Sequence, residues 1–241
     1  MLPDEVWDER AAADYDTPGE GMFAPDVVGP AVDFLAGLAG AGKALEFAVG
    51  TGRIAVPLAA RGVPVSGIDS SPPMVARLRS KAPIPVVVGD MVTTTVPGSF
   101  ALVYVVYNSI SNLLTQEQQV DCFRNAARHL APGGRFVVEL EVPDLRALPP
   151  GKAGVVFESS PGYLGVDTVD VVSQHLVSHH IRFGRGREAT LFRSAHRYAW
   201  PSELDLMGRL AGFRLEARYA DWSGAPFTAG SSGQMAVYRL D

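Results

Sequence analysis

Two glycines are the residues whose type and spacing point most directly to ligand chemistry. Gly50 and Gly52 lie where an apolar segment, residues 44–47, gives way to a helical pattern. Glycine tolerates positive φ and carries no Cβ, so this turn predicts a ligand lying against backbone N–H groups at the start of a helix. The spacing Gly50-x-Gly52-x-x-Ala55 also fits a dinucleotide fingerprint, so the turn alone leaves open which adenosine compound binds.

Carboxylates follow at the ends of the next two predicted strands. Asp69 comes after an apolar segment at residues 63–68, and Asp90 comes after a second one at 85–89. Two such groups can accept hydrogen bonds from a diol and from an exocyclic amine, which are the groups that an adenosine offers. The alternative is that both aspartates only cap helices. Glu46, inside the first strand, is expected to accept from N–H groups of the turn or from an ammonium group of the ligand.

The elements that would position these residues alternate between strand and helix as far as residue 141. Apolar spacing, capping residues and glycine stops predict helices at 25–38, from near 52 to 62, 74–80 and 115–130, and strands at 44–47, 63–68, 85–89, 100–107 and 135–141. This alternation predicts an α/β fold in which a doubly wound parallel sheet binds ligands at the carboxyl ends of its strands. Continuous apolarity in the strands indicates that helices cover both faces of the sheet.

The apolar period changes to two from about residue 150, which is typical of antiparallel strands. Residues 169–183 and 188–198 flank a glycine-rich hairpin turn, and a helix at 202–210, capped by Ser202, precedes strands at 213–219 and 234–240. We predict a single domain with four segments, namely an N-terminal lid at 1–24, a cofactor-binding core at 25–149, an antiparallel insertion at 150–199 and a C-terminal completion of the sheet at 200–241.

Taken together, these motifs resemble the class I S-adenosylmethionine-dependent methyltransferases over residues 25–240. Glu46-x-Ala48-x-Gly50-x-Gly52 is similar to the family's acidic, glycine-rich first motif, with Ala48 as a conservative departure from the commoner glycine. The resemblance implies a Rossmann-like sheet of strand order 3-2-1-4-5-7-6 with an antiparallel last strand. It also implies that Asp69 holds the ribose hydroxyls, that Asp90 faces the adenine amine, and that residues 132–134 form a tight turn before strand five. The insertion and the segment 197–204 look like the small-molecule branch, which includes sugar N-methyltransferases.

The same resemblance implies S-adenosylmethionine as the cofactor, S-adenosylhomocysteine as its product, and a methyl acceptor that is a small molecule. The expected cofactor-binding residues are Tyr15, Glu46, Ala48, Gly50, Thr51, Gly52, Asp69, Ser70, Met74, Asp90, Met91 and Asn108. Tyr15 is expected to act from the lid, and Asn108 and Ser109 are expected to line the cleft beside the transferred methyl group. The acceptor atom, nitrogen or oxygen, stays open.

Histidines are the candidates for a catalytic base, because a hydroxyl acceptor would need one near its proton. We take His196 as the catalytic candidate. A two-residue turn at 185–186 would pair position i with 371 − i, which would set His175 opposite His196 and near His179. A three-histidine metal site is then conceivable, but no second-shell acid is evident and we predict no metal. His129, at a helix end, is expected to lie on the surface.

Composition excludes several other classes of function. The formal net charge of −5, without a cationic cluster, argues against nucleic acid as a partner. The sequence contains no run of about 18 apolar residues, which a membrane span would need. The acidic first residues do not look like a signal peptide. We therefore expect a cytoplasmic protein without membrane contact, as a monomer or a homodimer.

Two other functions fit part of the pattern. A NAD(P)-dependent oxidoreductase would explain the glycine spacing and Asp69, although the chain has no Tyr-x-x-x-Lys pair. A protein that binds S-adenosylmethionine without methylating anything would use the same cofactor residues.

Overall fold

The computed structural model describes residues 7–145, 148, 150–184, 186 and 188–241, and the backbone but not the side chain of Arg10. The first six residues of the predicted lid therefore lie outside the described part. So do Arg185 and Arg187 of the predicted hairpin turn, and Pro149 at the predicted end of the core. The described residues form two β-sheets with six α-helices.

The helices begin where the chain offers caps or prolines. They are α1 Glu9–Tyr15, α2 Pro25–Ala39, α3 Ala55–Ala60, α4 Pro72–Lys81, α5 Gln116–His129 and α6 Pro201–Leu210. Ser71 caps α4 through its side chain, and Thr115 with Gln118 forms the predicted capping box of α5. The prediction that Ser202 caps α6 is wrong, because Pro201 already occupies the first helical position and Trp200 is the N-cap residue.

The larger sheet has seven strands and carries the glycine turn. Its strands are β1 Ala44–Phe47, β2 Val65–Asp69, β3 Val86–Val88, β4 Phe100–Val105, β5 Leu130–Glu141, β10 Phe213–Tyr219 and β11 Gly233–Leu240. They lie in the order β3-β2-β1-β4-β5-β11-β10, with β11 antiparallel to both neighbours, which confirms the predicted order. Two details differ. Residues 132–134 lie within β5 rather than in a turn before it, and β3 is a half-exposed edge strand rather than a buried one.

Two apolar clusters hold helices against the two faces of this sheet. On one face, Phe123 of α5 packs edge to face against Phe136 of β5, with 5.0 Å between ring centroids. On the other face, Leu35 of α2 and Leu58 of α3 pack with Tyr104 of β4. All five side chains are fully buried. The carboxyl ends of the parallel strands are therefore held at fixed positions along one edge of the sheet.

The smaller sheet is a four-stranded antiparallel insertion between β5 and α6. Its strands, in spatial order, are β6 Gly154–Ser160, β7 Tyr163–Asp170, β8 His175–Phe183 and β9 Ala189–Arg197. The predicted strand at 169–183 is wrong in its bounds, because a turn at 171–174 divides it into the end of β7 and all of β8. The sequence analysis missed β6, whose residues are mostly exposed and show no clean alternation.

The hairpin register differs by one residue from the predicted one. Leu176 pairs with His196, and His175 pairs with Arg197, so paired positions add to 372. Gly184 N–H donates to the Glu188 carbonyl, which leaves a three-residue loop rather than a two-residue turn. Because a shift of one residue moves a side chain to the other face, His175 and His196 lie on opposite faces of the sheet. The three-histidine arrangement is therefore wrong.

Candidate active site

A cavity of about 230 Å³ lies between α1 and the carboxyl ends of the parallel strands. The predicted cofactor residues that line it are Tyr15, Ala48, Gly50, Asp69, Ser70, Met74, Asp90 and Met91. The other predicted residues, which do not line this cavity, are Glu46, Thr51, Gly52, Asn108 and the catalytic candidate His196. The structure thus brings the glycine turn and both strand-end carboxylates to one cavity.

Asp69 ties the end of β2 to the glycine turn. Its Oδ2 accepts from Gly50 N–H at 2.7 Å, and its Oδ1 accepts from Ser71 N–H at 2.8 Å. Burial raises the pKa of Asp69, and the two backbone hydrogen bonds oppose that rise. A carboxylate oxygen has a second lone pair, so Asp69 can still accept from a diol. Asp90 Oδ1 accepts from Val92 N–H at 2.7 Å.

The turn after β1 depends on backbone conformations that favour glycine. Gly50 and Gly52 have φ of 55° and 86°, and a Cβ on Gly52 would lie 2.8 Å from Val56 Cγ2. Ala48 also has positive φ, 53°. Replacing glycine by alanine is therefore not conservative at this position, because a left-handed conformation costs a residue with a Cβ roughly 1–2 kcal/mol.

Glu46 lies behind the turn and is 3% exposed. Its Oε2 accepts from the Tyr104 hydroxyl at 2.9 Å, and a backbone hydrogen bond from Ala55 also reaches this carboxyl group. Burial raises the pKa of Glu46 to about 8, although Tyr104 and the nearby Arg53 act in the opposite direction. The N–H group that reaches Glu46 thus belongs to Ala55, the first residue of α3, rather than to the turn itself as expected.

The N-terminal segment is fastened over the cavity by polar contacts. The Ser71 hydroxyl donates to the Trp7 carbonyl at 2.7 Å, and the Thr51 hydroxyl donates to Asp16 Oδ1 at 2.6 Å. Lys81 Nζ lies 2.5 Å from Asp16 Oδ2 and 2.8 Å from the Thr51 carbonyl. These contacts close the cavity on the side of α1, so they give the predicted lid a defined closed position.

Tyr15 extends this lid with an aromatic row. Its ring packs edge to face with Trp7 at 5.6 Å and with Phe23 at 5.9 Å between centroids. Burial raises the pKa of Tyr15 to about 12, against the influence of the nearby Arg53 cation. Tyr15 is therefore a neutral phenol at neutral pH.

His196 lies beside the loop that follows β4. Its Nδ1 is 3.2 Å from the Ser111 hydroxyl, and its Nε2 is 3.1 Å from the Ser194 hydroxyl. Since Ser111 donates to the Asn108 carbonyl, Nδ1–H donates to Ser111 and Nε2 accepts from Ser194. Burial lowers the pKa of His196, so the imidazole is neutral at neutral pH.

His129 is buried, so the prediction of a surface position is wrong. Its Nε2 accepts from Val96 N–H at 2.9 Å, its Nδ1 donates to the Asn125 carbonyl at 2.8 Å, and its ring packs against Phe47 and Phe100. The imidazole satisfies two backbone groups inside the core, which a helix-end position alone does not reveal.

Several cavity residues were missed by the sequence analysis, namely Trp7, Gly89, Asn112, Leu113 and Gln118, whereas Ser109, which was expected at the cleft, lines the cavity. Asn112 belongs to the same polar segment after β4 as Ser109, which was a usable signal at a strand end. Gln118 was recognised only for the capping box. Trp7 belongs to a segment without periodicity, so only the folded contact identifies it.

Comparison with known proteins agrees with this geometry. A family model described as a methyltransferase domain matches residues 44–134. The solved structure of the CcbJ methyltransferase from Streptomyces caelestis is 35% identical, covers 96% of this chain and 95% of its own, and superimposes with a TM-score of 0.82. This chain belongs to the class I S-adenosylmethionine-dependent methyltransferases. Its cofactor is S-adenosylmethionine rather than NAD(P), so the glycine turn does not indicate an oxidoreductase.

Two further similarities extend along nearly the whole methyltransferase chain. The cypemycin N-terminal methyltransferase of a Streptomyces species is 27% identical over 256 residues, which cover 98% of each chain. The amino pentose methyltransferase CalS10 from Micromonospora echinaspora is 19% identical, covers 99% of this chain and all of its own, and has a TM-score of 0.71, which shows a shared fold.

The described part of this methyltransferase contains no group of three histidine, cysteine or acidic side chains arranged to hold a metal ion. None of its described helices has the length and apolarity needed to cross a membrane.

Proposed function

We infer that this methyltransferase acts on a small molecule and methylates a nitrogen or oxygen atom of it, with nitrogen favoured. The observation that carries this inference is the antiparallel sheet, whose His196 contacts Ser111 in the loop between two cavity residues, Ser109 and Asn112. An added sheet beside this loop would help to enclose a compact acceptor. The names of CalS10 and of the 18% identical KedS8, a sugar N-methyltransferase, support the same substrate class.

The cavity fits the cofactor chemically. Asp69 and Asp90 would present acceptors to the ribose diol and the adenine amine, while Gly50, which has no side chain, leaves room beside Asp69. When bound, S-adenosylmethionine supplies a methyl group on a positively charged sulfur with a neutral thioether as leaving group. The chain then has to align the acceptor and exclude water.

The acceptor nitrogen would use its lone pair to form the new bond to carbon, while the electrons of the breaking C–S bond stay on sulfur. A secondary or tertiary ammonium results, and one proton leaves it. We assign that proton to His196, which is neutral and whose Nε2 accepts from the Ser194 hydroxyl. Ser194 would relay the proton from the acceptor to Nε2 of His196. Ser111 would hold the imidazole in the tautomer that carries its hydrogen on Nδ1.

A second candidate acceptor is the α-amino group of a peptide. The full-length similarity to an N-terminal methyltransferase supports it. Both candidate acceptors would present a nitrogen to the same cavity. They differ in the rest of the molecule, which is compact in one case and a peptide chain in the other.

A transfer assay with donor labelled in the methyl group tests the proposal. The probes are a panel of amino sugars, the matching sugars with hydroxyl in place of amine, and short peptides with free or acetylated N-termini. We expect label in the amino sugars, and a His196→Gln variant should lose rate mainly at and above neutral pH, where the wild-type imidazole is neutral and can accept the proton, with the difference shrinking at lower pH. Label confined to free N-terminal peptides would establish the second candidate, and label in none would refute the proposed acceptor class.

A further inference from the structure

The end of β4 carries two consecutive non-glycine residues in the left-handed conformation. Tyr107 has φ of 54° and Asn108 has φ of 59°. Left-handed backbone is uncommon for a bulky residue such as tyrosine, and such outliers cluster at active sites when surrounding contacts maintain them. β4 pairs with β1, so this strained pair lies beside the strand that leads to the glycine turn.

Four hydrogen bonds hold the strained pair in place. Tyr107 N–H donates to Glu139 Oε2 at 2.6 Å, and Glu141 N–H donates to Asn108 Oδ1 at 2.7 Å. The Asn108 carbonyl accepts from both the N–H and the hydroxyl of Ser111. Glu139 is itself fixed, because its Oε1 accepts from Trp222 Nε1 at 2.8 Å. The neighbouring strand and the loop after β10 thus maintain the strain.

This arrangement turns the Tyr107 ring outward, where 48% of the residue is exposed. The Arg53 guanidinium lies 4.7 Å from the ring centroid and donates to the Met22 carbonyl of the lid at 3.3 Å. Tyr15 is close enough for both Arg53 and Tyr107 to influence it electrostatically. Within the part of the chain that the structure describes, the Tyr107 hydroxyl makes no hydrogen bond. Its ring is therefore fixed while its polar end is free.

We propose that Tyr107 is a positioning residue for the methyl acceptor, held by Glu139 so that its hydroxyl meets the acceptor's N–H or O–H group beside Tyr15. The inference rests on the proposed function. It assigns Glu139 and Trp222 the role of supporting the strained turn, and Arg53 the role of fixing the ring. Tyr107 does not line the cavity, so its contact would be with a part of the acceptor that lies outside the cofactor site.

The kinetic test compares Tyr107→Phe and Tyr107→Ala with the matched control Tyr219→Phe, a tyrosine that packs on Phe34 outside the site. On whichever panel probe the wild-type chain methylates, Tyr107→Phe should lower kcat/KM on the order of tenfold, as expected for one lost hydrogen bond. Tyr107→Ala should lower it further. Affinity for S-adenosylhomocysteine, measured by calorimetry, should stay within about twofold in all three. Unchanged kcat/KM in both Tyr107 variants would overturn the proposal, and so would a parallel loss of affinity.

A melting experiment tests the strained presentation without any acceptor. Glycine relieves left-handed strain, so Tyr107→Gly should melt about 2–4 °C above Tyr107→Ala. At Tyr219, which ends β10 and pairs with Met235 of β11, the glycine variant should melt below the alanine variant. If Tyr107→Gly instead melts below Tyr107→Ala, the proposal is overturned. If no panel probe is methylated, the small-molecule function fails. If both Tyr107 variants methylate a probe at the wild-type kcat/KM, the positioning role alone fails, and the melting order tests the strained backbone on which that role depends.

Discussion

The two sheets of this methyltransferase differ in how deeply their residues are buried. In the seven-stranded sheet, every residue of β1 is buried, and the ligand-facing side chains lie only where strands end. In the four-stranded sheet most positions are half-buried or exposed, and Leu191 and Phe192 are each about half exposed. The positions of the strand ends in the first sheet are therefore tightly fixed. Side chains of the second sheet can be substituted at a small cost in the free energy of unfolding.

We expect the same difference to separate cofactor binding from acceptor binding. The family match covers residues 44–134, which contain both cavity carboxylates and the glycine turn, and stops before the insertion begins. Binding of the common donor therefore depends on the rigid sheet, and we expect the choice of acceptor to depend on the added one. Four measurements can break or sharpen this contrast.

The largest effect is expected from core truncation. Phe123→Ala should lower the free energy of unfolding by about 3–5 kcal/mol, because Phe123 is fully buried among Phe136, Phe213 and Tyr238. The matched change Phe192→Ala in the small sheet should cost about 0.5 kcal/mol. Urea denaturation of both variants measures this, and equal losses would show that the small sheet is as tightly packed as the core.

Next in size is the loss of cofactor affinity in Asp69→Ala. Removing the carboxylate leaves Gly50 N–H unpaired and takes away the acceptor that we propose for the ribose, so S-adenosylhomocysteine should bind more weakly by about 1.5–3 kcal/mol. Asp33→Ala, which breaks an exposed ion pair with Arg61, is the control and should leave affinity unchanged. Wild-type affinity in the Asp69 variant would show that the ribose is held elsewhere.

A pH dependence follows from Glu46, whose pKa in the folded chain is about 8. The folded state holds a proton that the unfolded state releases from about pH 4.5 upward, so this group's contribution to stability is complete below that pH and declines up to about pH 8. Melting temperatures of the wild-type chain should therefore fall relative to Glu46→Gln across this range. A constant difference between the two would show that Glu46 is ionised in the fold.

The smallest effect concerns the connection between the two sheets. Ser111→Ala removes the hydroxyl that contacts His196, and it should cost about 1 kcal/mol while cofactor affinity stays unchanged. Hydrogen exchange should then speed up in β9 but not in β4. Ser178→Ala, whose hydroxyl donates within the small sheet to Asp167, is the matched control. Faster exchange in the control alone would locate the connection elsewhere.

The same contrast explains how much could be predicted from the sequence. The strand order, the glycine turn and the cavity positions of Asp69 and Asp90 followed from apolar runs that end in glycine or a carboxylate. The small sheet could not be predicted as well, since strands half-buried on both faces give no clear alternation. A loop one residue longer than expected was enough to move His175 to the other face from His196.

Parts of the site depend on contacts between distant segments, which a local pattern does not contain. Asp16 meets Thr51 and Lys81 only in the folded chain. The left-handed conformations of Ala48 and Tyr107 were unpredictable for a related reason: neither residue type favours positive φ, and Tyr107 is held there by Glu139 from another strand.

The closed N-terminal segment has a kinetic consequence. Each turnover must release a spent nucleoside, and we expect that release to follow the breaking of the hydrogen bonds that hold Asp16 to Thr51 and Trp7 to Ser71. We expect the first methylation in each molecule to outpace all later ones, so that rapid mixing yields a burst of one product per chain before a slower, opening-limited steady rate.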